Sequence, residues 1–296
     1  MNEAFASMYV CTPHGNSYIM VPLSETVDKR EPVMDRTIRD EIKFYFKNID
    51  KPEYLPDPNK IIECTNKVFE MLNCGEIRVA EQHDGDWIVN SWIKEAILLA
   101  FRFKKSERRE YEAFDKLGLL EYDYDAHRYR KVPFSVIRNG VYIGNNAVIM
   151  PSCINVGAYI GDNTMVDINA VVGSCAQIGR NCHISGLACI GGVLEPTSAR
   201  PVIVEDNCFV GVHSSVLEGV VVRENSIIAA GVTLTASTKI IKRETGQISY
   251  GEIPSCSVVV PGSYQSNNVN IACCVIIKTI DKTTRSKVSI NDILRS

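Results

Sequence analysis

Among the side chains able to do chemistry, the cysteines are the first to weigh, and their spacing says little for catalysis. There are eleven, an odd number with no C-x-x-C pair, so neither a disulfide framework nor a zinc site is indicated. Cys175 and Cys182 read as small structural fillers rather than nucleophiles. Four basic residues near the C-terminus, Lys278, Lys282, Arg285 and Lys287, are either a set that pairs with phosphates or a solvated basic tail. The run from Arg102 to Arg109 reads as a charged helix end. Histidine is the residue type suited to proton transfer near neutral pH, so His213 is either a base or a surface or substrate-contacting histidine.

The elements that position these groups follow from one pattern. Aliphatic residues recur every six positions at Ile154, Ile160, Val166, Val172, Ile178, Ile184 and Ile190, and again at Val204, Val210, Val216, Val222, Ile228, Leu234 and Ile240. Four residues after most of them stands a small side chain, as at Ala158, Thr164, Ala170, Ala176, Cys182 and Ala188. Period six excludes an amphipathic α-helix and specifies a hexapeptide-repeat β-helix, with three short strands per coil, the aliphatic residue inside and the small one at the corner. Between Ile190 and Val204 lie 14 residues where two periods require 12, so a two-residue insertion is expected to project a loop from Gly191 to Ser198 that could wall a binding site.

Before the repeat, helix-like spacing runs from Met34 to Asn48, Lys60 to Leu72 and Ile88 to Phe103. The expected organisation is a leader of unassigned role over 1–33, an α-helical N-terminal domain over 34–132, a β-helix over 133–257 and a C-terminal extension over 258–296. That extension should hold strands at Val258–Val260 and Cys274–Ile277 and a short helix at Ile290–Leu294. A formal net charge of -3 gives no basic field for nucleic acid. The longest apolar stretches fall short of the roughly 20 residues that cross a bilayer. With no secretory signal at the N-terminus, a cytoplasmic location is expected.

Several longer segments carry a resemblance. Met165-Val166-Asp167, the run from Val172 to Gly179, His183-Ile184-Ser185-Gly186, the run from Ile190 to Pro196 and Glu205-Asp206-Asn207-Cys208-Phe209 closely resemble the tetrahydrodipicolinate N-succinyltransferase family. So do the segment from Gly75 to Glu81, the segment from Trp87 to Lys94, Arg243-Glu244-Thr245-Gly246 and the run from Lys282 to Val288, so the likeness extends from about residue 34 to the end. The resemblance implies a left-handed β-helix with an α-helical N-terminal domain. It also implies a homotrimer, and transfer of a succinyl group from succinyl-CoA to the amino group of ring-opened tetrahydrodipicolinate in lysine and diaminopimelate biosynthesis. Acyl-CoA is then a co-substrate bound between neighbouring β-helices, and no metal or permanently bound cofactor is implied.

Aminolysis of a thioester needs an uncharged amine, a place for its proton and donors near the thioester oxygen. By the resemblance, Asp167 holds the position of the family's catalytic, acceptor-binding aspartate, with capping of a coil corner as its structural alternative. Arg130 resembles an arginine that binds an acceptor carboxylate through two parallel hydrogen bonds, with a surface arginine paired only with solvent as its alternative, and Arg138 is a weaker candidate for the same work. Lys278, Lys282, Arg285 and Lys287 would meet the CoA phosphates. His183 matches a family position in the wall between coils.

The chain departs from the family at the segment from Gly211 to Gly219, where His213 replaces an arginine and Ser215 a glutamate thought to assist catalysis. Asn169 stands where a tryptophan is usual, and Cys153 where a tyrosine is usual. These changes gather where the acceptor should bind, so Asn169 and Ser215 are read as substrate contacts and His213 as a replacement base. They also admit a paralogue that uses acetyl-CoA or another amino-acid acceptor, like the acyltransferase-like protein of tabtoxin biosynthesis, or a catalytically silent β-helix scaffold.

Overall fold

The computed structural model describes residues 9–10, 19–20, 33–108, 113–123 and 128–279. Two compact units are present, residues 1–38 and 39–296. In the first, Tyr9–Val10 pairs antiparallel with Ile19–Met20. The helices are α1 (Val33–Lys47), α2 (Pro58–Cys74) and α3 (Ser91–Phe103).

Helix α2 starts and stops on local signals. Asp57 accepts a hydrogen bond from the Asn59 N–H and Pro58 occupies the first turn, while Gly75 at φ +73° ends the helix in the left-handed conformation. Its buried stripe of Ile61, Val68, Phe69 and Leu72 packs on α3, which buries Trp92, Ile93, Ala96 and Ile97. Between them the expected all-helical domain contains a β-hairpin, Ala80–His83 with Asp86–Val89, so α3 begins at Ser91 rather than near Ile88. The cause is the two-residue turn Asp84-Gly85, both at positive φ, which suits the twist of paired strands.

The β-helix is left-handed, with its strands stacked in parallel on three faces. The first face runs through Arg130–Lys131, Val148–Ile149, Met165–Val166, His183–Ile184, Phe209–Val210 and Ile227–Ile228. The second runs through Val136–Ile137, Cys153–Ile154, Val171–Val172, Cys189–Ile190, Ser215–Val216 and Thr233–Leu234. The third runs through Tyr142–Ile143, Tyr159–Ile160, Gln177–Ile178, Ile203–Val204, Val221–Val222 and Glu252–Ile253. The first rung is therefore already formed at Arg130, three residues ahead of the expected boundary at 133.

Every repeat aliphatic from Ile154 to Leu234 is buried inside, each contributing about 1.5–3 kcal/mol by leaving water. The small residues from Ala158 to Ala188, with Cys208, Ser214 and Ser226, are buried at the corners as expected. Most corners also take a left-handed residue three positions after the aliphatic. Asn163, Asn181 and Asn207 supply it on one edge, where their side-chain amides bond to each other from rung to rung.

Two features of the repeat correct the sequence reading. Ile190 lies on the second face and Val204 on the third, one face apart, so the intervening loop is an eight-residue insertion into a single period, not two residues added to two periods. Ile240, although in phase, is not a coil residue. Its strand Ile240–Lys242 pairs antiparallel with Ile248–Ser249 and parallel with Cys274–Ile276, and the third face resumes only at Glu252–Ile253. Spacing measures insertions only modulo six, so it gives neither the size of the first excursion nor the existence of the second.

After the last rung the chain forms a long hairpin, Ser257–Ser266 with Val269–Thr279. This takes in both expected strands and extends them. The expected helix at Ile290–Leu294 lies outside the described residues. No helix is long and apolar enough to cross a membrane, among the described residues.

Candidate active site

Asp167 follows the third strand of the first face and turns the chain into the corner leading to the second face. Its Oδ1 accepts the Ile168 N–H at 2.7 Å, which is the corner-capping bond, and its Oδ2 lies 3.4 Å from His183 Nε2. Thus one oxygen shapes the backbone and the other faces a titratable ring. His183 is pinned by its coil. It stacks one rung beyond Met165, packs edge-on to the Phe209 ring at 5.4 Å, and its side chain is 11% exposed against 31% for Asp167.

The same edge carries Asn169 and His213, both exposed and both in the left-handed conformation at φ +57° and +58°. Each occupies the corner position three residues after its repeat aliphatic. Ser215 begins the next strand, half-exposed on the second face between Cys189 and Thr233. Asp167, Asn169, His183, His213 and Ser215 thereby gather along three rungs of one edge, at about 4.8 Å per rung.

Other expected site residues sit elsewhere. Arg130 is exposed on the first face, two rungs or about 10 Å before Met165 in the same column. Arg138 is engaged with the chain itself: its guanidinium donates to Asp115 Oδ2 and to Asn155 Oδ1 and lies over the Phe101 ring. Lys278 is exposed in the C-terminal hairpin, opposite Val258 of the first face. Lys282, Arg285 and Lys287 lie outside the described residues. His183 is the site residue the sequence reading placed only in the wall. Its signal was its position, 18 residues or one full coil after Met165 and hence in the outward column beside Asp167.

The 191–202 excursion borders a cavity of about 680 Å³ lined by Gly191, Gly192, Val193, Glu195, Ala199, Arg200, Leu217, Glu218 and Gly219. Arg200 crosses to the next coil, its Nε donating to the Gly219 carbonyl at 2.9 Å. The N-terminal elements brace the opposite, third face. Arg78 donates to Gln177 Oε1 at 3.1 Å and lies 3.5 Å over the Tyr159 ring, and Trp87 Nε1 donates to Glu205 Oε1 at 2.8 Å.

The edge also presents apolar side chains to solvent. Phe134 and Leu187 are 92% and 47% exposed, both left-handed at φ +67° and +61°, and Ile168 and Val212 are exposed nearby. A left-handed conformation costs a non-glycine residue roughly 1–2 kcal/mol, and asparagine tolerates it best. Phe134, almost wholly exposed, offsets little of that cost within the chain, and half-exposed Leu187 offsets only part of it.

Comparison with known proteins gives this framework its relatives. The family model for the tetrahydrodipicolinate N-succinyltransferase N-terminal region matches residues 37–103. Bacterial transferase hexapeptide repeats match 157–192, and the hexapeptide repeat of succinyl-transferase matches 201–236. The 2,3,4,5-tetrahydropyridine-2,6-dicarboxylate N-succinyltransferase of Wolbachia sp. subsp. Brugia malayi is 52% identical over 77% of this chain and 87% of its own length. Those of Polynucleobacter asymbioticus and Idiomarina loihiensis are 48% and 45% identical, over 80% and 85% of this chain and 91% and 95% of theirs. With such identity spanning both the helical region and the coils, the chain belongs to the tetrahydrodipicolinate N-succinyltransferase family of acyltransferase enzymes.

Proposed function

We propose that this protein transfers the succinyl group of succinyl-CoA to the amino group of ring-opened tetrahydrodipicolinate, with Asp167 as the group that receives and orients the amine. The observation carrying this reading is the Asp167 carboxylate, with one oxygen held by the Ile168 N–H and the other turned outward beside His183 on an exposed edge. Relatives at about half identity are named for the same transfer.

The amine reaches the site largely as an ammonium and must lose a proton before attack. Asp167 Oδ2 accepts that hydrogen bond and aims the lone pair at the thioester carbonyl, while His183 stays beside the carboxylate as the charge changes. Nitrogen attack forms the C–N bond, the adduct nitrogen loses its second proton, the tetrahedral oxyanion collapses and the C–S bond breaks; the leaving thiolate takes up one of the two protons shed by the ammonium and the other passes to solvent. Arg130 pairs with an acceptor carboxylate. Asn169, His213 and Ser215 line the acceptor side of the edge, with His213 available as a proton carrier. Lys278, with Lys282, Arg285 and Lys287, meets the CoA phosphates.

The working form is a homotrimer in the cytoplasm. The exposed, strained Phe134 and Leu187 support association along this edge, because burial there returns the free energy the isolated chain loses. Mass spectrometry of the acceptor after incubation with succinyl-CoA tests the reading: an N-succinylated product is expected, and an unmodified acceptor would overturn it.

A further inference from the structure

Helix α3 carries a lysine where a core residue belongs. Lys94 is fully buried among Ile93, Ala96 and Ile97, and its Nζ donates to the Ala199 carbonyl at 2.7 Å. Among the described residues this is its one hydrogen bond, and no carboxylate pairs with it. The nearby Cys175 thiol supplies no counter-charge, since burial pushes it up to about 12. Desolvation accordingly lowers the Lys94 pKa. An ammonium buried with one acceptor is costly for the fold, and an apolar side chain of similar length would fill the space without that cost.

What the lysine reaches explains its presence better than the core does. Ala199 belongs to the 191–202 excursion, which has no strand of its own between Ile190 and Ile203. The residue after it, Arg200, bonds to the Gly219 carbonyl, and a Cβ on Gly219 would fall 2.5 Å from the Arg200 carbonyl oxygen, so only glycine fits there. Lys94 and Gly219 thus grip neighbouring residues of the loop, one from the helical domain and one from the next coil. Ala199, Arg200 and Gly219 all line the 680 Å³ cavity.

We propose that Lys94 is a positioning residue that fixes the 191–202 loop from the helical domain and thereby sets how tightly the enzyme holds its substrates. The proposal rests on the acyl-transfer reading for its kinetic part and on the geometry alone for its structural part. Lys94 touches no substrate; it acts through the Ala199 carbonyl.

Lys94→Met keeps the apolar stem and removes the donor, and Lys94→Gln retains a donor of shorter reach, for use if the first does not fold. Hydrogen exchange of the full-length protein is read together with steady-state kinetics. The expected result is faster exchange confined to 191–202 and the adjoining coil, with a KM for at least one substrate raised fivefold or more and kcat changed less than about twofold. Unchanged exchange in the loop overturns the proposal. So does exchange rising equally through α3 and the coils, because that is the mark of a core residue alone, and so do unaltered KM values. If the unmodified enzyme shows no acyl transfer, the acyl-transfer reading fails, while the exchange result still decides whether Lys94 holds the loop.

Discussion

Asp167 and His183 come from successive coils and meet with 3.4 Å between Oδ2 and Nε2. Neither is placed by a flexible loop: each lies within two residues of a buried aliphatic of the β-helix, Val166 and Ile184, so the pair inherits the rigidity of the stack. That rigidity gives the site a fixed carboxylate on an edge that also exposes the apolar side chains of Phe134, Ile168 and Leu187.

Asp167→Asn preserves an oxygen for the Ile168 N–H and removes the proton acceptor. The expected loss in kcat is on the order of 10²–10⁴-fold with thermal stability nearly unchanged, measured by steady-state kinetics and thermal unfolding. A large fall in Tm with a small fall in kcat would instead make the residue a corner cap.

Ser215 leaves the second face without a carboxylate at a half-exposed position one strand beyond His213. Ser215→Glu adds a second proton acceptor on the same edge, and the expected outcome is a kcat raised by up to about tenfold with little change in KM. A fall in kcat would show that a carboxylate here obstructs the acceptor rather than supplying a missing base.

Leu187→Asp places a charge on the exposed edge at a left-handed corner that aspartate tolerates well. The monomer core is untouched, so circular dichroism should be unaltered while light scattering reports monomers in place of trimers. Retention of the trimer would move the contact away from this edge.

Glu205 is the buried hub between the N-terminal hairpin and the coils. Oε1 accepts from Trp87 Nε1, Gln82 Nε2 and Arg223 Nη1, and Oε2 accepts from the Glu224 N–H. Glu205→Gln turns one acceptor into a donor facing donors and leaves Arg223 with a weaker partner. The expected cost is about 2–4 kcal/mol in urea unfolding.

The coils were legible because each buried aliphatic obeys one rule at one spacing, so Ile154 through Leu234 identify the solenoid by themselves. What spacing hides is anything that preserves phase. The eight-residue insertion after Ile190 imitates two extra residues, and Ile240 keeps the beat after the chain has left the coil. The hairpin at Asp84-Gly85 carried a turn signal inside a region read for helices. Arg138 looked like a carboxylate ligand because its partners, Asp115 and Asn155, lie 23 and 17 residues away, beyond any local pattern. His183 emerges as a neighbour of Asp167 only when the 18-residue coil, rather than the six-residue repeat, is used as the ruler.

The most direct test is CoA thiol release by the purified protein with succinyl-CoA or acetyl-CoA, each with and without freshly prepared tetrahydrodipicolinate. Release that requires the acceptor and proceeds with a higher kcat/KM for succinyl-CoA is the predicted result. Release that ignores the acceptor, a preference for acetyl-CoA, or no turnover with either donor would contradict the account.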